Sequence, residues 1–294
     1  MNFIFLSDWH LRSSRPLARI DDYHVAQIRK LIQLVFFANE HSAYIVAGGD
    51  IWDSPRPGWK LYTEVQRVLS KAQWGIYVVA GQHDQIFHSQ DLSNTPLQSL
   101  HDAGILTVVK EPEQLSSKVY LHGCSWGEEP SKPIEGFYNV LLAHLSVYEK
   151  KVPFYMEGNV FTARTLGEKY PGFNLYLCGD IHIPFVRDDV VVSGSMMRQS
   201  IDQKDFRPRC YLIEGSKLNP FNKISPLYFD IEEDVFADYL VNKKDEEFAS
   251  ELNELVDALK ASAVQKVDYE KLCGDLAKHF ITHNLIKDIF DHVR

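Results

Sequence analysis

Five short motifs carry the side chains best suited to chemistry: Asp8-Trp9-His10, Gly49-Asp50 followed by Asp53, Gly81-Gln82-His83-Asp84, Ala143-His144 and Gly179-Asp180-Ile181-His182. They supply carboxylates, imidazoles and an amide. Mixed oxygen and nitrogen donors suit Mn, Fe, Zn or Mg rather than a thiolate site. A carboxylate in such a set can bridge two cations about 3.5–4 Å apart, the arrangement used for phosphoester hydrolysis. Singly, the motifs say little. Asp-x-His is common, Gly-Asp after a strand is often a turn, and a lone histidine is usually satisfied in the core or on the surface. In this order, each at or just after the end of an apolar run, they are hard to explain as turns.

The elements that must position them are legible in outline. Asn2–Ser7, Ala43–Ala47 and Ile76–Ala80 read as strands. Between them, Val25, Ile28, Leu31, Ile32, Val35 and Phe36 mark one helical face, and Leu61, Val65, Val68 and Leu69 another. This β-α-β-α-β order predicts a mostly parallel sheet, whose strand ends open onto one ligand-binding edge. Val119–His122, Val140–Ala143, Leu175–Cys178, Val190–Val192 and Tyr211–Ile213 read as short strands of a second sheet packed on the first. Ser146–Val160 reads as a loop, and Arg187–Arg209 as turns near a site. Beyond about Ile231 the apolar spacing becomes helical: Phe248, Leu252, Leu255, Val256 and Leu259, then Leu272, Leu276 and Phe280, then Leu285, Ile289 and Phe290.

The ordered set D-x-H, G-D, G-N-H-D, H, G-H-x-H is the signature of calcineurin-like metallophosphoesterases, and residues 1 to about 215 resemble it. Gly48-Gly49-Asp50-Ile51-Trp52-Asp53 resembles the form frequent in the SbcD-type DNA nucleases. Val190–Ile213, with Ser193-Gly194-Ser195, resembles the strand pair that closes the catalytic domain there. The resemblance implies an α/β fold, a four-layer α-β-β-α metallophosphoesterase sandwich over 1–231. Residues 232–294 would form a helical appendage that caps the body or docks on a partner.

Carried over position by position, the resemblance implies that Asp8, His10 and His182 hold one metal ion. Asp50 bridges to a second, which His144 binds. His83 contacts the phosphate and protonates the leaving oxygen, and Asp53 and Asp84 orient imidazoles. Two positions depart from the pattern, both at the second ion: Gln82 replaces Asn, and Asp180 replaces the first His of the last motif. An extra carboxylate favours a hard ion, Mn²⁺ or Mg²⁺, over zinc. Two divalent ions, Mn²⁺ first, with Mg²⁺ or Fe as alternatives, are therefore expected. The contrary reading is a crippled second site.

The SbcD-type resemblance further implies DNA as substrate, manganese-dependent exonuclease and endonuclease activity in repair or recombination, and an SbcC-type coiled-coil ATPase partner. Arg12 and Arg15 follow the first motif and could meet phosphates, as could Arg198 in a later basic cluster; Trp52 could stack on a base. The rivals are a phosphodiesterase or phosphatase for nucleotides or other small phosphoesters, and a non-catalytic DNA-binding subunit with a degenerate second site. The latter has no need of a proton donor such as His83.

Composition narrows the setting. The net charge of −9 divides into −7 over 232–294, with 8 basic and 15 acidic residues, and −2 over 1–231, with 23 and 25. The main body is thus nearly neutral and offers no large basic footprint. Cys124, Cys178, Cys210 and Cys273 are too scattered for a metal knuckle or a disulfide framework, which fits a reducing cytoplasm. The start lacks a basic lead and a cleavage site and reads as a strand rather than an export signal. No apolar run is long enough for a membrane helix. A homodimer stays open.

Overall fold

Alternation along the first strand sets the layering. β1 (Asn2–Leu6) turns Phe3 and Phe5 to one side and Ile4 and Leu6 to the other, and all four are fully buried. Successive strand side chains point to opposite faces, so both faces of this strand must be covered. In the computed structural model the chain divides after Ala237. The structure describes residues 1–154, 156, 158–215, 221, 223–231 and 234–237. The helices expected within 248–290 lie outside the described residues, as does all of 232–294 except 234–237.

In chain order the elements are α1 (Tyr23–Glu40), β2 (Ala43–Ala47), α2 (Trp59–Leu69), β3 (Ile76–Val78), α3 (Pro96–Asp102), β4 (Thr107–Val108), β5 (Glu113–Ser116), β6 (Val119–Cys124) and β7 (Tyr138–His144). Then come β8 (Ser146–Tyr148), β9 (Val160–Thr162), α4 (Ala163–Lys169), β10 (Leu175–Gly179), β11 (Phe185–Arg187), β12 (Val190–Val192), β13 (Arg209–Glu214) and β14 (Lys223–Tyr228). One six-stranded sheet has the order β14-β13-β1-β2-β3-β4, the other β11-β12-β10-β7-β6-β5. Strands β1 to β4 are parallel, as are β6, β7, β10 and β12.

Three apolar layers follow. Phe3, Phe5 and Val46 of the first sheet meet Val140, Leu142, Leu175 and Leu177 of the second. Ile4, Leu6 and Ile45 pack under Leu31 and Leu34 of α1 and Leu61 and Val65 of α2. On the far side, Leu141, Ala143, Tyr176 and Cys178 pack against Leu166 of α4. This is the expected α-β-β-α sandwich.

Several local expectations are corrected. Tyr211–Ile213 lies in β13, which joins the first sheet antiparallel to β1 rather than the second. Ser146–Val160 is not wholly loop, because β8 pairs in parallel with β9. In α1 the buried face runs through Ala26, Gln27, Lys30, Leu31, Leu34, Val35 and Ala38, while Val25, Ile32 and Phe36 are exposed. Two polar residues disguised that face. Gln27 is buried because its amide bonds both backbone groups of Arg12, at 3.0 and 2.9 Å. Lys30 is buried because its Nζ reaches Asp234 at 2.7 Å.

Asp234 is the hub of a buried charge cluster. Its Oδ1 accepts from Arg19 and Lys30, each at 2.7 Å, and its Oδ2 from Arg198 Nε at 2.8 Å. Arg19 also forks onto Asp21, with both bonds at 2.6 Å. Burial acts to raise the Asp234 carboxyl, but Lys30, Arg19 and Arg198 outweigh it and hold it below the usual carboxylate range. A depressed carboxyl stabilises the fold above its unfolded pKa, and that contribution fades as pH falls through the folded one. Removing one partner of a buried ionic group strands the others. Asp234→Ala is expected to cost about 3–5 kcal/mol in urea denaturation at pH 7, with the deficit shrinking as the pH is taken below the carboxylate range.

Candidate metal centre

The five motifs meet where the C-terminal ends of the parallel strands of both sheets share one edge. The loops after β1 and β2 run side by side, with Asp8 N bonded to Gly49 O, His10 N to Asp50 O and Leu11 N to Ile51 O, each at 3.0 Å. Asp8, His10, Asp50 and Asp180 have φ of 53°, 44°, 50° and 88°. Non-glycine residues rarely adopt this left-handed region, and where they do the surroundings enforce it.

Site residues also tie the two sheets together. His144, the last residue of β7, donates from Nδ1 to Gly48 O at 2.6 Å. Asp180 N, just past β10, donates to both carboxylate oxygens of Asp8 at 3.1 and 3.2 Å. Ser7 N donates to Ser193 Oγ at 2.8 Å, and Met196 N to Asp8 O at 3.1 Å. The glycines of the motifs make this approach feasible. Gly49 has φ +95°, and a Cβ there would strike the His144 ring; a Cβ on Gly81 would strike the Asp50 carboxylate.

Donor atoms converge within this frame. Asp8, His10 and His182 each offer an atom within 4.8 Å of the others, and so do His10, Asp50 and His83, and Asp8, Asp50 and His144. His10 Nε2 lies 3.1 Å from His182 Nε2 and 3.8 Å from Asp50 Oδ2, and His144 Nε2 lies 3.5 Å from the same oxygen. Gly48 O can only accept, so His144 Nδ1 carries a proton and its Nε2 faces Asp50. Asp50 Oδ1 is fixed by His83 N at 2.8 Å. Asp50 Oδ2, His144 Nε2 and Gln82 Oε1 are buried with no hydrogen-bond partner among the described residues. Buried polar atoms are normally satisfied, and unpartnered oxygen and nitrogen atoms beside these triads fit cations. These residues could hold two.

Burial pushes Asp8 up to about 6 against the pull of His144 and His182. Burial drives His10 down to about 3, so its imidazole is neutral and one ring nitrogen keeps a free lone pair. For His144 burial acts to lower the pKa, but Asp50, Asp8 and Asp180 prevail and raise it to about 10. For Asp50 burial acts to raise it, and His144, His10 and His83 prevail and depress it.

The other expected residues divide. His83 sits beside His10, ring centroids 4.9 Å apart, and its Nδ1 donates to the Asp53 carbonyl at 2.9 Å. Asp53 therefore orients an imidazole through its backbone, while its carboxylate lies 3.5 Å from Arg12 and 3.9 Å from His10 Nδ1. Asp84 orients no imidazole. Its carboxylate takes the backbone N–H groups of Ile51, Trp52 and Gly81 at 3.3, 3.0 and 3.0 Å, holding the two loops that flank Asp50. Gln82 donates to Asp180 Oδ1 at 3.0 Å. Arg12 borders the site through Asp53, and Arg15 is exposed beside it in a shallow pocket. Arg198 is buried in the Asp234 cluster and Trp52 is fully buried, stacked on Tyr62; neither can meet a substrate as expected. Sequence reasoning missed Ser146, whose hydroxyl bonds the Asp180 carboxylate. Its place two residues after His144, hence on the same side of an extended chain, was the available signal.

The calcineurin-like phosphoesterase family matches residues 1–184, and the chain belongs to that family. Its members are metal-dependent phosphoester hydrolases, and the donor set found here is of the matching kind. No curated protein sequence matches the chain. Among solved structures, the TT1561 protein of Thermus thermophilus is similar over 77% of this chain and 98% of its own, with 14% identity and a TM-score of 0.48. A conserved protein of Streptococcus pneumoniae, described as a predicted phosphoesterase, is similar over 78% and 97%, with 11% identity and a TM-score of 0.33. Among the described residues, no helix is long and apolar enough to cross a membrane. Cys124, Cys178 and Cys210 are buried free thiols.

Two outcomes are expected. With a pKa near 10, His144 Nε2 holds a proton at pH 7 unless a cation competes for the same lone pair. Cation uptake should then release a proton, and affinity should rise with pH up to about 10. Titration calorimetry in buffers of different ionisation enthalpy measures this directly; heats that do not change with buffer would contradict it. Gly81→Ala, which displaces Asp50, is expected to weaken Mn²⁺ binding at least 10–100-fold, roughly the loss seen when a ligand's support is removed.

Proposed function

We propose that this protein is a dinuclear-metal phosphodiesterase acting on DNA, a nuclease of the SbcD type. The observation that carries the hydrolase reading is the convergence of three donor triads on Asp50 and its neighbours. Asp8, His10 and His182 would hold one cation and His144 and Gln82 another, with Asp50 between them. The DNA reading draws support from the Gly48–Asp53 motif and from Arg12 at the rim of the site. Manganese suits the mixed oxygen and nitrogen donors.

Bound there, divalent cations would neutralise charge on the phosphoryl oxygens and would lower the pKa of water. The chain supplies the rest. Asp50, pinned by His83 N, sets the separation of the two half-sites. The Asp53 carbonyl fixes the Nδ1 proton of His83, so its Nε2 is the nitrogen that faces the site and hands a proton to the leaving oxygen. Asp84 holds the loops on either side. A coiled-coil ATPase partner belongs to the same reading, with the apolar residues spaced at helical period within 248–290 as its docking feature.

A second reading has a specific observation in its favour. With Arg198 and Trp52 buried, two of the expected nucleic-acid contacts are removed, which suits a nucleotide or another small phosphoester. Labelled single- and double-stranded DNA incubated with Mn²⁺ decides between them. The nuclease reading expects digestion by the wild type, none by Asp50→Ala, and a loss of about 10²–10⁴ in rate for His83→Ala with Mn²⁺ stoichiometry unchanged. Hydrolysis confined to nucleotides or aryl phosphodiesters would favour the small-ester reading. DNA binding without turnover of any phosphoester would favour the non-catalytic one.

A further inference from the structure

The amide of Gln82 poses a question of orientation. Its two ends are nearly equal in size, yet only the oxygen can ligate a cation. Something must hold the nitrogen on the other side. The structure places Asp180 there. Its Oδ1 accepts from Gln82 Nε2 at 3.0 Å, and its Oδ2 accepts from Ser146 Oγ. Its own backbone N–H is anchored on Asp8 at 3.1 and 3.2 Å. Both oxygens of Asp180 are therefore engaged by protein donors. Gln82 Oε1, the other terminal atom of the same planar amide, is buried and has no hydrogen-bond partner among the described residues. The nearby Asp50 Oδ2 and His144 Nε2 are left in the same condition.

We propose that Asp180 is a positioning residue rather than a cation ligand: braced by Ser146, it turns Gln82 so that Oε1 becomes a ligand of the second cation. The proposal rests on the dinuclear reading above and replaces the expectation that Asp180 binds metal directly. Asp180 Oδ1 does lie 3.8 Å from His144 Nε2, close enough for the rival arrangement to be worth testing.

The two arrangements differ in how truncations combine. Mn²⁺ alone is titrated calorimetrically into the full chain, using wild type, Gln82→Ala, Asp180→Ala, the double variant and Asp180→Asn, with circular dichroism confirming that each is folded. The brace predicts two ions in the wild type. It predicts a loss of roughly 10–100-fold in the second binding step for each alanine variant, and a double variant no weaker than Gln82→Ala alone. Asp180→Asn can still accept from Gln82 and donate to Ser146, so it should recover most of what Asp180→Ala loses. Losses that multiply in the double variant, or an Asp180→Asn as weak as Asp180→Ala, would overturn this inference while leaving two ions bound. A single ion in the wild type would overturn the dinuclear reading along with it.

Discussion

The carboxylate of Asp50 is the constraint around which the rest is arranged. It is fully buried, sits in left-handed backbone at φ 50°, and has one oxygen pinned by His83 N. The other oxygen faces His10 at 3.8 Å and His144 at 3.5 Å. A buried charge must be compensated by opposite charge or by hydrogen bonds. Here protonated imidazole or a cation can do so, and the two compete for the same space. That competition couples the protonation of the site to its loading.

Holding Asp50 there makes demands on distant parts of the chain. Gly49 and Gly81 must lack side chains, because His144 and Asp50 itself occupy the space a Cβ would need. Asp84 must collect three N–H groups from the adjoining loops. The strand ends of the two packed sheets must be held together, which the His144–Gly48, Asp180–Asp8 and Ser7–Ser193 bonds accomplish. Even α1 takes part. Gln27 clamps Arg12 just past His10, and Lys30 joins the Asp234 cluster, whose Arg198 is followed by Gln199, a partner of Arg12 at 3.3 Å. Stability and site geometry thus share residues.

The parts of this that were legible in the sequence obey local periodicities. Strands β1 to β3 and the helices between them announce themselves by spacing, and the motifs lie where parallel strands end. The parts that were not legible depend on pairing across long separations. Nothing in Tyr211–Ile213 says that it returns to β1 rather than extending the second sheet. The buried face of α1 is hidden in the sequence because Gln27 and Lys30 look like solvent-facing residues until Arg12 and Asp234 are seen to meet them. Arg198 and Trp52 look like substrate contacts until their partners are seen: Asp234, 36 positions on, takes the guanidinium, and Tyr62 stacks on the indole. The pairing of Gln82 with Asp180 spans 98 positions and is invisible without coordinates.

Anomalous diffraction from crystals soaked in Mn²⁺ will show whether Asp50 lies between two cations. Two peaks about 3.5–4 Å apart are expected, one among Asp8, His10 and His182, the other against His144, with Asp50 contacting both. A single peak, or peaks that Asp50 does not touch, would contradict it.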